Sequence, residues 1–281
     1  AMLILTLLLA ALLQLSLADD EPLEFGNLKQ LVMPAVHNRV VGGEATTVEK
    51  LGGYIVALKY QNEFICGGSL IAERIVVSAA HCFIGRPLKG LWNITGGITR
   101  IDEEGPTVGI NDYITPEAFT EKGMHMDVVV LLLEKELKGE NIVKIPLCHT
   151  PLKEGLKLVV SGWGLTDPEA LNPHPRLRTV SVPVIKKTKC SATYKASTNA
   201  SYSAVHISKS MFCAGILGQK DACTFDSGGP IVYESDEQRE LCGIVSFGIS
   251  CASPKYPGVY TDVNYIKPFI EQAMRTLLSE K

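Results

Sequence analysis

The chain has 281 residues, of which 46% are apolar and 20% charged, and its net charge is -3. That length and apolar content suit one large domain or two small ones, and the absence of a basic excess argues against nucleic acid or an anionic membrane surface as partner. Eight cysteines, an even number with no CxxC pair, fit disulfides in an oxidising compartment better than a zinc or redox site.

Met2 to Ala18 is a nearly continuous apolar run, too short for a comfortable membrane span. It ends in the small residues Ser16-Leu17-Ala18 and is followed by Asp19-Asp20-Glu21. Residues 1–18 are therefore expected to be a secretory signal peptide, lacking the usual basic residue before the apolar core, with Ala1 ahead of Met2 an addition. Residues 19–39 carry no clear period and no cysteine, and are expected to be an exposed lead segment. From Val40 the texture changes to short β-rich runs separated by Gly and Pro, as in barrels or sandwiches. Examples are Tyr54–Leu58, Ile75–Ser78, Val128–Leu133, Leu158–Val160 and Gly243–Ser246. Lys144–Leu147 also reads as a strand. The polar stretch from Lys186 to Ser203 reads as an exposed loop around one regular segment. Ile266 to Leu278 carries a helical pattern, with Ile266, Phe269, Ile270, Ala273, Met274 and Leu277 on one face. No later stretch is long and apolar enough to cross a bilayer, so no stable membrane anchor is expected.

Three segments carry residue types suited to nucleophilic catalysis. Ser78-Ala-Ala-His81-Cys82 puts a histidine at the end of a β-branched run. Met126-Asp127 puts an acid at the start of an apolar strand. Asp226-Ser227-Gly228-Gly229-Pro230 puts a serine in a glycine-rich turn. Acyl transfer by serine needs a hydroxyl nucleophile, a base, a group that orients the base and donors for the oxyanion. Singly, each segment has an ordinary structural explanation: a core histidine, a capping aspartate, a loop. The order His, Asp, Ser excludes the α/β-hydrolase order, and the G-x-S-x-G elbow fails because Phe225 stands where its first glycine belongs.

In that order the three segments resemble the signature motifs of the chymotrypsin–trypsin serine peptidases. The resemblance runs from Arg39 almost to the C-terminus and takes in Val40-Val-Gly-Gly43, Cys66-Gly-Gly-Ser69, Ser161-Gly-Trp-Gly164, Ser246-Phe-Gly248 and Pro257-Gly-Val-Tyr-Thr261. It implies an all-β fold of two six-stranded antiparallel barrels, about 55–145 and 156–265, with a C-terminal α-helix at about 266–278, together forming a peptidase domain over 40–281. It implies Ser227 as nucleophile, His81 as general base then acid, and Asp127 as the group orienting the imidazole. The backbone N–H groups of Phe225 and Ser227 would form the oxyanion hole. Asp221 would floor a pocket kept open by Gly248 and Gly258, giving cleavage after Arg or Lys. Cleavage after Arg39 would remove the propeptide 19–39 and free Val40 to pair with Asp226. Disulfides Cys66–Cys82, Cys190–Cys213 and Cys223–Cys251 carry over, leaving Cys148 and Cys242 for each other.

The resemblance further implies a secreted monomer that needs no cofactor, is activated by a trypsin-like protease, acts on proteins or peptides and meets protein protease inhibitors. No metal site is expected, since Asp102-Glu103-Glu104 lacks a spaced calcium ligand set. Asn93 and Asn199 head glycosylation sequons. The departure is Phe225, where the family has glycine. It motivates an alternative: a catalytically impaired homologue that works as a binding or regulatory module. An active enzyme with chymotrypsin-like preference is a second alternative, which Asp221 opposes.

Overall fold

The computed structural model describes residues 43–87, 90–165, 172–196, 206–220, 222, 225–236, 238–249 and 253–279. The expected signal peptide, the propeptide with Arg39 and Val40, the sequon residue Asn199, Asp221 and the Cys223–Cys251 pair lie outside these residues. All the described residues fall in the unit Val36–Lys281.

The first barrel is made by β2 (Ile55–Tyr60), β3 (Glu63–Ala72), β4 (Ile75–Ser78), β5 (Trp92–Gly96), β6 (Thr107–Ile114) and β7 (Val129–Leu133), closed in the order β2-β3-β4-β7-β6-β5 with every pairing antiparallel. β4 and β7 are buried along their whole length. Their Ile, Val and Leu runs suit such strands, because branched side chains pack well on a pleated surface. The second barrel uses β8 (Lys157–Gly162), β9 (Arg178–Ile185), β10 (Met211–Ala214), β11 (Pro230–Glu234), β12 (Arg239–Phe247) and β13 (Gly258–Asp262). It closes because β9 pairs with both β8 and β10. The short β1 (Glu44–Ala45) adds to the start of β9, a stretch that β10 does not reach.

Between the barrels, Lys144–Leu147 is not the expected strand. Pro146 has no N–H for a ladder, and the segment makes scattered contacts instead: Ile145 N–H donates to the Leu70 carbonyl, Leu147 bridges Leu241, Leu241 N–H donates to Pro146 O and Cys148 N–H to Leu241 O. The Cys148–Cys242 disulfide fastens this link to β12, with Cα atoms 4.7 Å apart. Cys66–Cys82 and Cys190–Cys213 are also bonded. One helix, α1 (Val48–Leu51), precedes the barrels. A second, α2 (Lys187–Lys195), occupies part of the polar stretch and buries Cys190 and Tyr194 against a small satellite core. The C-terminal helix α3 spans Val263–Ser279, a few residues longer at its start than its pattern indicates, and buries Val263, Ile266, Ile270, Ala273 and Leu277. Partly buried Phe269 packs on the main core, which is continuous through both barrels.

Candidate active site

The structure sets His81, Asp127 and Ser227 around the junction of the two barrels. His81 lies in a single 3₁₀ turn, Ala80–Phe83, directly after β4. Asp127 precedes β7, the strand paired with β4, so one antiparallel pair brings both residues to the same end. The contact is double. The His81 backbone N–H donates to Asp127 Oδ1 at 3.0 Å, and His81 Nδ1 lies 2.7 Å from Oδ2. Asp127 is wholly buried while the His81 side chain is 13% exposed, so the imidazole alone reaches the cleft.

The second barrel holds that aspartate. Ser246 Oγ, on β12, donates to Asp127 Oδ2 at 2.5 Å, and Thr261 Oγ1, on β13, donates to the Asp127 carbonyl at 2.9 Å. Burial works to raise the Asp127 carboxyl. The facing His81 and the bonds from His81 and Ser246 outweigh it and hold the carboxyl below its ordinary value. The turn ahead of Asp127 is tied down the same way. Met126 N–H donates to Ser210 Oγ, which lies 3.1 Å from His125 Nδ1, and Ser208 Oγ lies within 2.9 Å of both. Met124 and Met126, on either side of His125, both have positive φ.

Ser227 sits in the turn leading into β11, and first-barrel groups hold that turn in return. The Ser227 carbonyl accepts from Gly67 N–H at 2.9 Å. Gly67 follows Cys66, whose disulfide partner Cys82 follows His81, so the group that holds the Ser227 carbonyl is covalently tied, over a short path, to the histidine. Gly228 has φ +76°, and a Cβ there would lie 2.2 Å from Ser78 Oγ and 2.6 Å from the Gly67 carbonyl. Only glycine fits both the backbone conformation and the space.

Asp226 is buried. Its carboxylate lies in a notch formed by Gly162 and Gly164: a Cβ on either would come within 2.2 Å of a carboxylate oxygen. The Gly164 N–H donates to Oδ1 at 2.8 Å. Phe225 adopts the left-handed backbone, φ +71°, with its ring partly buried on the core. A Cβ on Gly248 would stand 3.9 Å from the Gly258 Cα, so the two glycines expected to line the pocket face each other. Asn93 lies within the paired strand β5 with Thr95 of its sequon buried, not on an exposed loop. Of the two compact His/Cys/carboxylate clusters among the described residues, Cys66–His81–Cys82 and Cys148–Glu240–Cys242, both spend their sulfurs on disulfides, which leaves no thiolate for a metal.

The motifs pointed to His81, Asp127, Ser227 and Asp226. They did not assign roles to Ser246, Thr261, Gly162 or Gly164, although all four stand inside quoted motif segments.

Two antiparallel barrels with a His–Asp pair and a Ser-Gly-Gly turn at their junction are the architecture of a chymotrypsin-like serine peptidase. The sequence pattern of the family described as Trypsin matches residues 40–270. The chain is similar to Seminase of Drosophila melanogaster, 50% identical over 94% of this chain and 92% of that protein. It is 34% identical to Trypsin zeta of Drosophila erecta over 83% of this chain and 84% of that one. To Hypodermin-A of Hypoderma lineatum it is also 34% identical, over 83% and 86%. The chain belongs to the trypsin family of serine endopeptidases, whose substrates are proteins and peptides. Among the described residues no helix is long and apolar enough to cross a membrane.

Proposed function

We propose that the chain is a secreted zymogen whose activated form hydrolyses peptide bonds after Arg or Lys through an acyl-enzyme. The observation that carries the reading is the buried Asp127 carboxylate, bonded to both His81 nitrogens named above and to Ser246, beside the Ser227 turn. Ser227 Oγ attacks the scissile carbonyl carbon as its proton passes to His81 Nε2. The carbonyl oxygen becomes an oxyanion facing the backbone N–H groups of Phe225 and Ser227. Collapse breaks the C–N bond, and His81 gives its proton to the departing amine. Water then repeats the cycle on the ester and frees Ser227. Asp127 holds the imidazole with Nδ1–H toward the carboxylate, so that Nε2 is the free base, and stabilises the imidazolium when it forms.

The Asp226 notch supports activation by cleavage. Cutting after Arg39 creates an ammonium at Val40, and a buried carboxylate in a tight notch is a strong acceptor for it. Such an ion pair forms only after cleavage and therefore acts as a switch. Loss of residues 1–18 on secretion and departure of 19–39 after the cut complete the scheme, with another trypsin-like protease as activator. The activated enzyme works as a monomer and is a target of protein protease inhibitors. Asp221 in the pocket favours a cationic side chain. The left-handed Phe225 favours a second reading, an impaired homologue that binds without cleaving.

The test is to purify the precursor, cut it after Arg39, and assay matched Arg, Lys and Phe anilides. Turnover is expected after the cut, highest on Arg and Lys, abolished by Ser227→Ala and not elicited by trypsin in Arg39→Gln. Absence of turnover in the cut protein establishes the impaired reading. Full activity in uncut Arg39→Gln overturns the zymogen scheme.

A further inference from the structure

Phe225 holds a conformation that glycine enters freely and that a side chain resists. Its φ is +71°. Something must therefore hold this residue that its glycine counterpart would not need. The ring is in a position to do so. It lies partly buried with its centroid 6.5 Å from that of Phe64 on β3, the planes inclined by 33°. That separation is within the range of attractive aromatic pairs. Phe64 in turn meets the edge of Trp163, centroids 5.8 Å apart at 74°. Trp163 is fully buried, and its Nε1–H donates to the Thr99 carbonyl at 3.1 Å. Trp163 also stands between Gly162 and Gly164, the residues that cradle the Asp226 carboxylate. The Phe225 ring, through Phe64, and the next residue's carboxylate, directly, are thus fastened to the same segment 162–164.

We propose that Phe64 is a positioning residue for the oxyanion hole: set between Trp163 and Phe225, it holds Phe225 in the left-handed conformation that aims its N–H at the developing oxyanion. The proposal rests on the reading that Ser227 is a working nucleophile. A ring at position 64 then substitutes for the conformational freedom that glycine would supply at 225. Phe64 touches no reacting atom in this scheme. Its loss lowers turnover, not substrate binding, and only while residue 225 is phenylalanine. If Phe64 merely packs, its loss is felt equally with either residue at 225.

The experiment is a double-mutant cycle on the chain cut after Arg39. Wild type, Phe64→Ala, Phe225→Gly and the double variant are compared, with Phe64→Leu as a ringless filler, Phe64→Tyr as a ring-keeping control, and melting curves for all. The readouts are kcat and KM on a peptide anilide that the wild type cleaves. Beside them stands affinity for the corresponding peptide aldehyde, which adds Ser227 Oγ to give an anionic hemiacetal oxygen, and for the peptide alcohol, which cannot. With Phe225 present, Phe64→Ala and Phe64→Leu are expected to lower kcat and aldehyde affinity about tenfold. KM and alcohol affinity should stay within about twofold, and Phe64→Tyr should retain activity. In the Phe225→Gly background the effect of Phe64→Ala should fall below about twofold. Equal losses in both backgrounds, or losses confined to KM and the alcohol, overturn the assignment of Phe64 alone. A wild type with no turnover and no preference for aldehyde over alcohol overturns the catalytic reading, and this assignment with it.

Discussion

Removing the Ser246 hydroxyl should destabilise the protein in a way that depends on the charge of Asp127. The Asp127 carboxylate is wholly buried, and Ser246 Oγ donates to the same Oδ2 that faces His81 Nδ1. A bond to a buried charge is worth ~1.5–3 kcal/mol, against ~0.5–1.5 kcal/mol for a neutral pair. Ser246→Ala creates little space, so a loss of about 2 kcal/mol is expected near neutral pH, roughly 30-fold in the folding equilibrium. The sign with pH follows from the depressed Asp127 carboxyl. Its stabilisation is fully present above the unfolded aspartate value and is lost as pH falls through the lower folded one. Ser246→Ala removes one cause of the depression, so in the variant that loss should begin at higher pH. Once Asp127 is protonated, the difference between the two proteins should shrink to about 1 kcal/mol or less. The assay is urea unfolding between about pH 7 and pH 2, with both proteins carrying Ser227→Ala to prevent self-digestion. A difference that stays constant with pH, or no destabilisation near neutrality, would refute the argument that this bond serves the carboxylate.

Gly228→Ala should cost at least ~2 kcal/mol, because its Cβ would meet Ser78 Oγ and the Gly67 carbonyl at a left-handed position; folding yield and urea midpoint check it, and wild-type values would show that the turn can move. Paired Cys148→Ser and Cys242→Ser changes should cost about 4.7 kcal/mol on the chain-entropy estimate, because this bridge closes a separation of 94 residues. Urea unfolding in the Ser227→Ala background measures it, and a loss below about 1 kcal/mol would mean that the link holds through its hydrogen bonds instead. Asp221→Ser should lower cleavage after Arg and Lys by roughly 30-fold or more while sparing cleavage after Phe, since one partner of a desolvated charge pair is removed. Matched anilides read it out, and an unchanged preference would remove Asp221 from the pocket.

Strands are legible in the sequence where both of their faces are buried. Ile75–Ser78 and Val129–Leu133 are wholly buried, and a run of branched apolar residues has few other uses. Lys144–Leu147 misled because apolar content at Ile145 and Leu147 says nothing of the N–H missing at Pro146. Helix α2 was indistinct because Cys190 and Tyr194 are its buried residues, too few to set a period. At the site, the residues doing the chemistry stand in recognisable local patterns. Those that hold them do not, because each pairing joins segments far apart in the chain: Ser246 and Asp127 are separated by 119 positions, Gly164 and Asp226 by 62. Phe225 is legible in the sequence as a departure, but its support is not, because the Phe64 ring reaches it from β3 of the other barrel.

The exchange between barrels runs in both directions, and that has a consequence for how the site forms. Asp127 enters from the first barrel and is held by Ser246 and Thr261 of the second. Ser227 and Gly228 enter from the second: Gly67 N–H of the first barrel donates to the Ser227 carbonyl, and Gly228 lies close against Ser78. Each barrel can close its own ladder alone, yet neither satisfies the polar groups it sends to the junction. A separated first barrel would leave the Asp127 carboxylate without its hydroxyl donor, and a separated second barrel would leave the Ser227 carbonyl without Gly67. In a partly docked junction that still excludes water, a polar group left unpaired costs ~1–3 kcal/mol, more than the net worth of the bond it has lost. Docking of the barrels and assembly of the site are therefore one cooperative event. Substitutions at the junction should move stability and turnover together, whereas changes to the outer strands should move stability alone.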